Sequence, residues 1–124
     1  SIVNISSDLG IIAPDQRIYR KDGISEDFQP VKPITYSVIK SGIIGLSRYL
    51  STYSPDKIRS NTICPGGILA DQDKDFLQKI NKLIPMGRMG FPHEIQGAVV
   101  FFLSDASSYI NGSILNIDGG RTTW

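Results

Sequence analysis

The chain has 124 residues, with thirteen Lys and Arg against twelve Asp and Glu and a formal net charge of +1. That balance leaves neither a basic stripe for nucleic acid nor an acidic tail, the single cysteine excludes an internal disulfide, and no His/Cys cluster has the spacing of metal ligands. No apolar run approaches the roughly 18 residues that span a bilayer and no charged-then-apolar leader is present, so a reducing cytoplasm is the expected location.

In chain order, Ile2 to Ile5 is short, apolar and β-branched, as expected of a strand buried on both faces of a parallel sheet. Residues 8–32 carry Pro14, Gly23 and Pro30 among many charges and hold no sustained period, which predicts a long functional loop. From Ile34 to Tyr53, Tyr36, Ile39, Ile43, Leu46 and Leu50 recur at three- and four-residue steps, predicting an amphipathic helix that Pro55 ends. Gly42 and Gly45 within it predict close approach of another backbone, either a sheet or a second helix across a dimer seam. Residues 58–63 read as the next strand, turned by Cys64-Pro65-Gly66-Gly67. Residues 71–83 read as a charged helix with Phe76, Leu77 and Ile80 as its apolar face. His93 to Leu103 reads as a buried helix opened by Pro92, and 113–117 as the last strand. Strands alternating with helical crossovers predict an α/β fold, a Rossmann-like doubly wound parallel sheet.

The chemistry concentrates in Tyr36-Ser-Val-Ile-Lys40. Residues four apart share a helix face, so the ammonium sits near the phenol and favours its ionised form. A phenol titrating near 10 needs such a neighbour to exchange protons near neutrality. Taken alone, the pair more often describes a half-buried tyrosine packed along a lysine stem. A hydroxyl at the end of the first strand, Ser7, would complete a site holding a carbonyl or alcohol oxygen.

Further segments stand in a telling order: Ile2-Val-Asn-Ile-Ser-Ser-Asp-Leu-Gly10, the Tyr36 to Lys40 pair with Ser41-Gly-Ile-Ile-Gly-Leu-Ser47, Ile58-Arg-Ser-Asn-Thr-Ile-Cys-Pro-Gly-Gly-Ile68, Phe101-Phe-Leu-Ser-Asp-Ala-Ser-Ser-Tyr-Ile-Asn-Gly112, and Asn116-Ile-Asp-Gly-Gly120. This order resembles the C-terminal half of the short-chain dehydrogenase/reductase family. The resemblance implies NAD or NADP as cofactor, Tyr36 as acid/base, Lys40 as its electrostatic partner and a ligand of the nicotinamide ribose, and Ser7 as the substrate-orienting serine, with Ser6 a candidate by proximity. Pro65, Gly66, Gly67 and Ile68 match the loop beside the nicotinamide. Ala70 stands where many relatives carry a threonine and is left out of the site.

Residues 1–124 then form the catalytic, substrate-side half of one dinucleotide-binding domain. The chain opens on a strand-like run without a methionine, and no Gly-x-x-x-Gly-x-Gly or Gly-x-Gly-x-x-Gly turn follows any strand. A glycine-rich N-terminal half is therefore expected outside it, the isolated half is expected to be inactive, and Ile2 to Ile5 should expose an unpaired edge.

The interval from Ser7 to Tyr36 is longer than in the typical short branch of the family. Its Asp15, Arg17, Tyr19, Arg20, Glu26 and Asp27 suit a polar, sugar-derived small-molecule substrate, as in bacterial surface-glycan or flagellin modification. Two other readings remain at this point: a sugar-nucleotide epimerase or dehydratase, and a non-catalytic oligomerisation half. The resemblance also implies a homodimer or homotetramer, with no nucleic-acid or membrane partner. His93 reads as solvated or capping, Cys64 as a small buried hydrophobe, and Arg88 and Glu94 as folding or subunit contacts.

Overall fold

The computed structural model describes residues 1–124. Its centre is a three-stranded parallel sheet in the order β1-β2-β3, with β1 at Ile2–Ile5, β2 at Ser60–Pro65 and β3 at Ile114–Ile117. Ile2 pairs with Ser60 and Ile5 with Ile63, while Thr62 pairs with Ile114 and Pro65 with Ile117. The middle strand has neighbours on both edges, and Ser60, Asn61, Thr62, Ile63 and Cys64 are fully enclosed. Burial of polar side chains is costly without partners, which Ser60 and Asn61 have and the Thr62 hydroxyl lacks. Ser60 Oγ lies 3.2 Å from Ser47 Oγ, and Asn61 donates to the Ile110 carbonyl at 2.9 Å while accepting from the Ser113 N–H at 2.9 Å.

Helix α1 spans Ile34–Tyr53. Pro33 stands at its N-cap, and it stops at Ser54 because the residue before a proline disfavours the helical region. The face turned to the sheet runs through Ile44 and Ser47, whereas Ile39 and Leu46 are 60% and 49% exposed. The apolar stripe drawn from Tyr36, Ile39, Ile43, Leu46 and Leu50 is thus corrected by about one position: a serine faces the sheet because its hydroxyl is paired with that of Ser60. A Cβ at Gly42 or Gly45 would meet nothing within 4 Å, so neither glycine serves contact with this chain's sheet.

Helix α2 spans Lys74–Asn81, with Asp73 accepting the Phe76 N–H at 2.8 Å as its cap. Helix α3 spans His93–Leu103 and is not the buried helix expected. Phe102 is enclosed, but Val100 and Leu103 are exposed, because only one side of α3 meets the sheet. The same reason leaves Ile2 and Ile5 of β1 exposed: β1 pairs with β2 alone, so its expected burial on both faces is also corrected. The 8–32 segment contains three short 3-10 turns, Asp8–Gly10, Gln16–Tyr19 and Glu26–Phe28. It docks through Ile18 on Ile80, Ile84 and Met89, with Tyr19 against Phe76 at 5.7 Å. No helix is long and apolar enough to cross a membrane.

One clamp ties these layers together. Arg59 donates to the carbonyls of Phe102, Ser104, Ser107 and Ile110 at 2.7 to 3.3 Å, gathering the open end of α3 and the chain beyond it. Arg59→Ala should therefore lower stability by about 2–4 kcal/mol in a denaturant titration of the full-length protein, with Arg59→Lys recovering part of the loss.

Candidate active site

In parallel sheets, ligands bind outside the carboxyl ends of the strands, and here a cleft of about 530 Å³ opens at the ends of β1 and β2. Ser7, Tyr36, Lys40, Pro65, Gly66, Gly67 and Ile68 all line it. Three separate stretches of sequence are thus brought together. Its size falls within the roughly 300–1,000 Å³ of small-molecule sites.

Each side chain has a local reason for its position. Ser7 caps the Asp8–Gly10 turn, accepting the Leu9 N–H at 3.2 Å and donating to Asp8 Oδ1 at 2.8 Å. The Ser6 hydroxyl is engaged elsewhere, donating to the Lys40 carbonyl at 2.7 Å. Tyr36 and Lys40 sit one helical turn apart, with Lys40 Nζ 5.7 Å from the Tyr36 ring centre and donating to the Ile5 carbonyl at 3.2 Å. Lys32 Nζ lies closer, 3.8 Å from the same ring centre.

The 65–68 turn follows directly from β2. Gly66 and Gly67 pack tightly, since a Cβ would stand 2.9 Å from Asp118 Cα and 2.8 Å from Met89 Cε respectively. A parallel bridge to Gly90 uses the Gly67 carbonyl and the Leu69 N–H. Successive N–H groups point to opposite sides in such a bridge, so the Ile68 N–H turns away from Gly90 and bonds no other group of the chain. Ala70 is exposed, its N–H held by Gln72 Oε1 at 2.8 Å.

Of the polar loop residues, Asp15 and Tyr19 reach the cleft. Arg17 is paired with Asp15 at 2.7 Å, and Arg20 is paired with Glu26. The Arg17 hydrogen bonds hold the Asp15 carboxyl down at about 2. Outside the cleft, Arg88 and Glu94 form a two-pronged pair at 2.7 and 2.8 Å, which with the Phe91 N–H keeps the Glu94 carboxyl at about 2. His93 stacks on Phe91 at 5.7 Å and is exposed. Cys64 is fully enclosed, and burial pushes its thiol up, away from nucleophilic use. No group of three or more His, Cys, Asp or Glu is placed to hold a metal ion.

Sequence reasoning missed Asp8, Lys32 and Arg121 as cleft residues. Asp8 is buried beside Ser7, and its carboxyl is raised above its ordinary 3.8, first by burial, against the opposing bonds from Ser7 and Leu9. A carboxyl raised in the fold binds more protons folded than unfolded, so its contribution to stability declines as pH climbs from 3.8 through the raised value. Asp8→Asn keeps the shape without the charge. It should raise the thermal midpoint of the full-length protein near neutral pH, and the gain should vanish below pH 3.8; a gain that persists or grows in acid contradicts the assignment.

The family model described as enoyl-(acyl carrier protein) reductase matches residues 24–122, most of the chain. Post-translational flagellin modification protein A of Campylobacter coli is 36% identical over 121 residues, covering 97% of this chain and 45% of the relative. The chain belongs to the short-chain dehydrogenase/reductase family. Another relative in that family, the 3-oxoacyl-[acyl-carrier-protein] reductase FabG of Chlamydia trachomatis, is 44% identical over 90 residues, 68% of this chain and 36% of that protein. Among solved short-chain dehydrogenases, the enzyme of Leptospira borgpetersenii with bound NAD+ superposes with a TM-score of 0.86 at 41% identity, covering 98% of this chain and 44% of that one. Solved members of the family hold NAD+, NADH or NADP, and the parallel sheet described above is part of their Rossmann fold. The chain spans less than half the length of these short-chain dehydrogenase/reductase relatives.

Proposed function

We propose that this chain is the catalytic, substrate-side half of an NAD(P)-dependent oxidoreductase that interconverts a carbonyl and an alcohol. One observation carries the reading: Ser7, Tyr36, Lys40 and the 65–68 turn line a single cleft at the carboxyl ends of two parallel strands. The residues suit the cofactor, because the turn at the cleft offers an Ile68 N–H that bonds no other group of the chain. Lys40 would hold the ribose and Ile68 the carboxamide of a nicotinamide, which when bound supplies or accepts hydride.

The chain's own residues handle the proton and the oxygen. Ser7 would hold the substrate oxygen, and Tyr36 would give it a proton in reduction or remove one in oxidation. Lys40 and Lys32, both beside the Tyr36 ring, offset the charge left on the phenolic oxygen. Asp15 and Tyr19 at the cleft suit a polar, sugar-derived substrate, and the flagellin-modification relative covers nearly all of the chain. The enzyme would act in the cytoplasm as a homodimer or homotetramer. The exposed apolar side chains of α1 and α3, among them Val38, Ile39, Val100 and Leu103, support the assembly.

The test uses the full-length protein. NADH and NADPH are titrated by fluorescence, and oxidation of the bound form is followed with carbonyl compounds derived from sugars, steroids and fatty acyl chains. Absence of both cofactor binding and turnover overturns the reading. Turnover of steroids or acyl ketones alone removes the sugar-derived substrate and leaves the oxidoreductase.

A further inference from the structure

The cleft contains one cation, Arg121, that the proton transfer does not use. Lys32, Lys40 and Arg121 line it, with Asp8 and Asp15 as its carboxylates. The four ion pairs of the chain are Arg17–Asp15, Arg20–Glu26, Lys79–Asp75 and Arg88–Glu94, so none of the three cleft cations belongs to one. Both Asp15 oxygens are taken by Arg17, at 2.8 and 2.7 Å. Asp8 feels the field of Arg121, but its Oδ1 accepts from Ser7 and Leu9, and burial disfavours its charged form.

Arg121 is the least satisfied of these cations. Its Nε is buried and has no hydrogen-bond partner. Its placement is nonetheless built. Gly119 and Gly120 take φ of 63° and 87°, and the Asp118 carboxylate gathers the N–H groups of Gly120 and Thr122 at 2.9 Å and the Thr122 hydroxyl at 2.6 Å. The turn therefore holds the arginine at the cleft without consuming its guanidinium. Lys32 is fixed comparably, its backbone bonded at both N–H and carbonyl to the Gln16 amide. A guanidinium with free donors matches the paired oxygens of a carboxylate or phosphate.

We infer that Arg121, assisted by Lys32, forms an oxyanion subsite of the cleft, so that the substrate carries a carboxylate or phosphate in addition to its reacting carbonyl or alcohol. This rests on the oxidoreductase reading and narrows its substrate class. Arg121 is here a specificity residue, with no part in the proton transfer.

The test is calorimetric. Full-length protein saturated with NAD+ or NADP+ is titrated with tartrate, glycerol 3-phosphate and neutral erythritol. At least one anion should bind more tightly than erythritol, and the tighter anion identifies carboxylate or phosphate. Arg121→Gln should weaken that anion by about tenfold or more, Lys32→Gln by less, and Arg121→Lys should restore part of the loss. Unchanged anion binding in Arg121→Gln, equal binding of erythritol, or no anion binding by the wild-type protein each overturns the subsite. Should Arg121→Gln fail to fold, Arg121→Lys decides: a point charge in place of the fork must still weaken the anion, and unaltered affinity counts against the assignment. Reduction of neutral carbonyls without anion binding would end the subsite and leave the oxidoreductase standing. Anion binding without any hydride transfer would do the reverse.

Discussion

Tyr36→Phe in the full-length protein is expected to bind the nicotinamide cofactor as the wild type does and to lose about a hundredfold or more in kcat. The size follows from the worth of a positioned proton donor, about 10²- to 10⁴-fold. The substitution removes one oxygen and keeps the ring that Lys32 covers at 3.8 Å, so packing is preserved. Steady-state rates with a fluorescence titration of the cofactor separate the two effects. Activity near the wild-type level would exclude Tyr36 as the acid/base, whatever the fold suggests.

Gly10→Ala should damage stability and turnover together. A Cβ at this position would stand 2.6 Å from Ser6 Oγ and 2.9 Å from both the carbonyl carbon and the oxygen of Lys40. Two of those contacts are backbone atoms of α1, which cannot swing aside as a side-chain tip does. The Ser6 to Lys40 hydrogen bond at 2.7 Å would stretch or break, leaving an enclosed hydroxyl without its partner. Overpacking and that loss together amount to about 1–3 kcal/mol. The residue displaced also presents the ammonium to Tyr36, so kcat should decline even in molecules that remain folded. Denaturant midpoints and rates on the same variant test this, with Gly42→Ala as a control on the same helix, where an added Cβ meets nothing within 4 Å. Equal behaviour of the two variants would contradict the tight junction between β1 and α1.

Local signals in the sequence agree with the structure, and signals that depend on what lies opposite do not. The bounds of α1 coincide with expectation because Pro33 and Pro55 bracket it in the chain itself. That Ser7, Tyr36, Lys40 and the 65–68 turn line one cleft is legible because spacing and turn chemistry are local properties, and the motif order links them. The second strand begins at Ser60 instead of Ile58, since apolar content alone does not reveal that Arg59 is spent on four carbonyls beyond the sheet. Periodicity marks the apolar positions of α1 and α3 but not their cover, so it places Ile39, Leu46 and Val100 inside, whereas they stand in solvent. Asp8, Lys32 and Arg121 reach the cleft through a loop and a final glycine turn. No residue spacing encodes that meeting, although two successive left-handed glycines before an arginine are a sign that the chain doubles back.

The Arg59 clamp has a consequence for how the molecule comes apart in acid. Its guanidinium is held by amide dipoles, which do not titrate, whereas Asp15 and Glu94 depend on carboxylates that gain protons near pH 2. Strong acid therefore loosens the polar wall of the cleft and the start of α3 while the knot joining sheet and helix end keeps every partner. Acid would dismantle the molecule from its exposed ion pairs inward, with the surface of the fold surrendered before the scaffold beneath it.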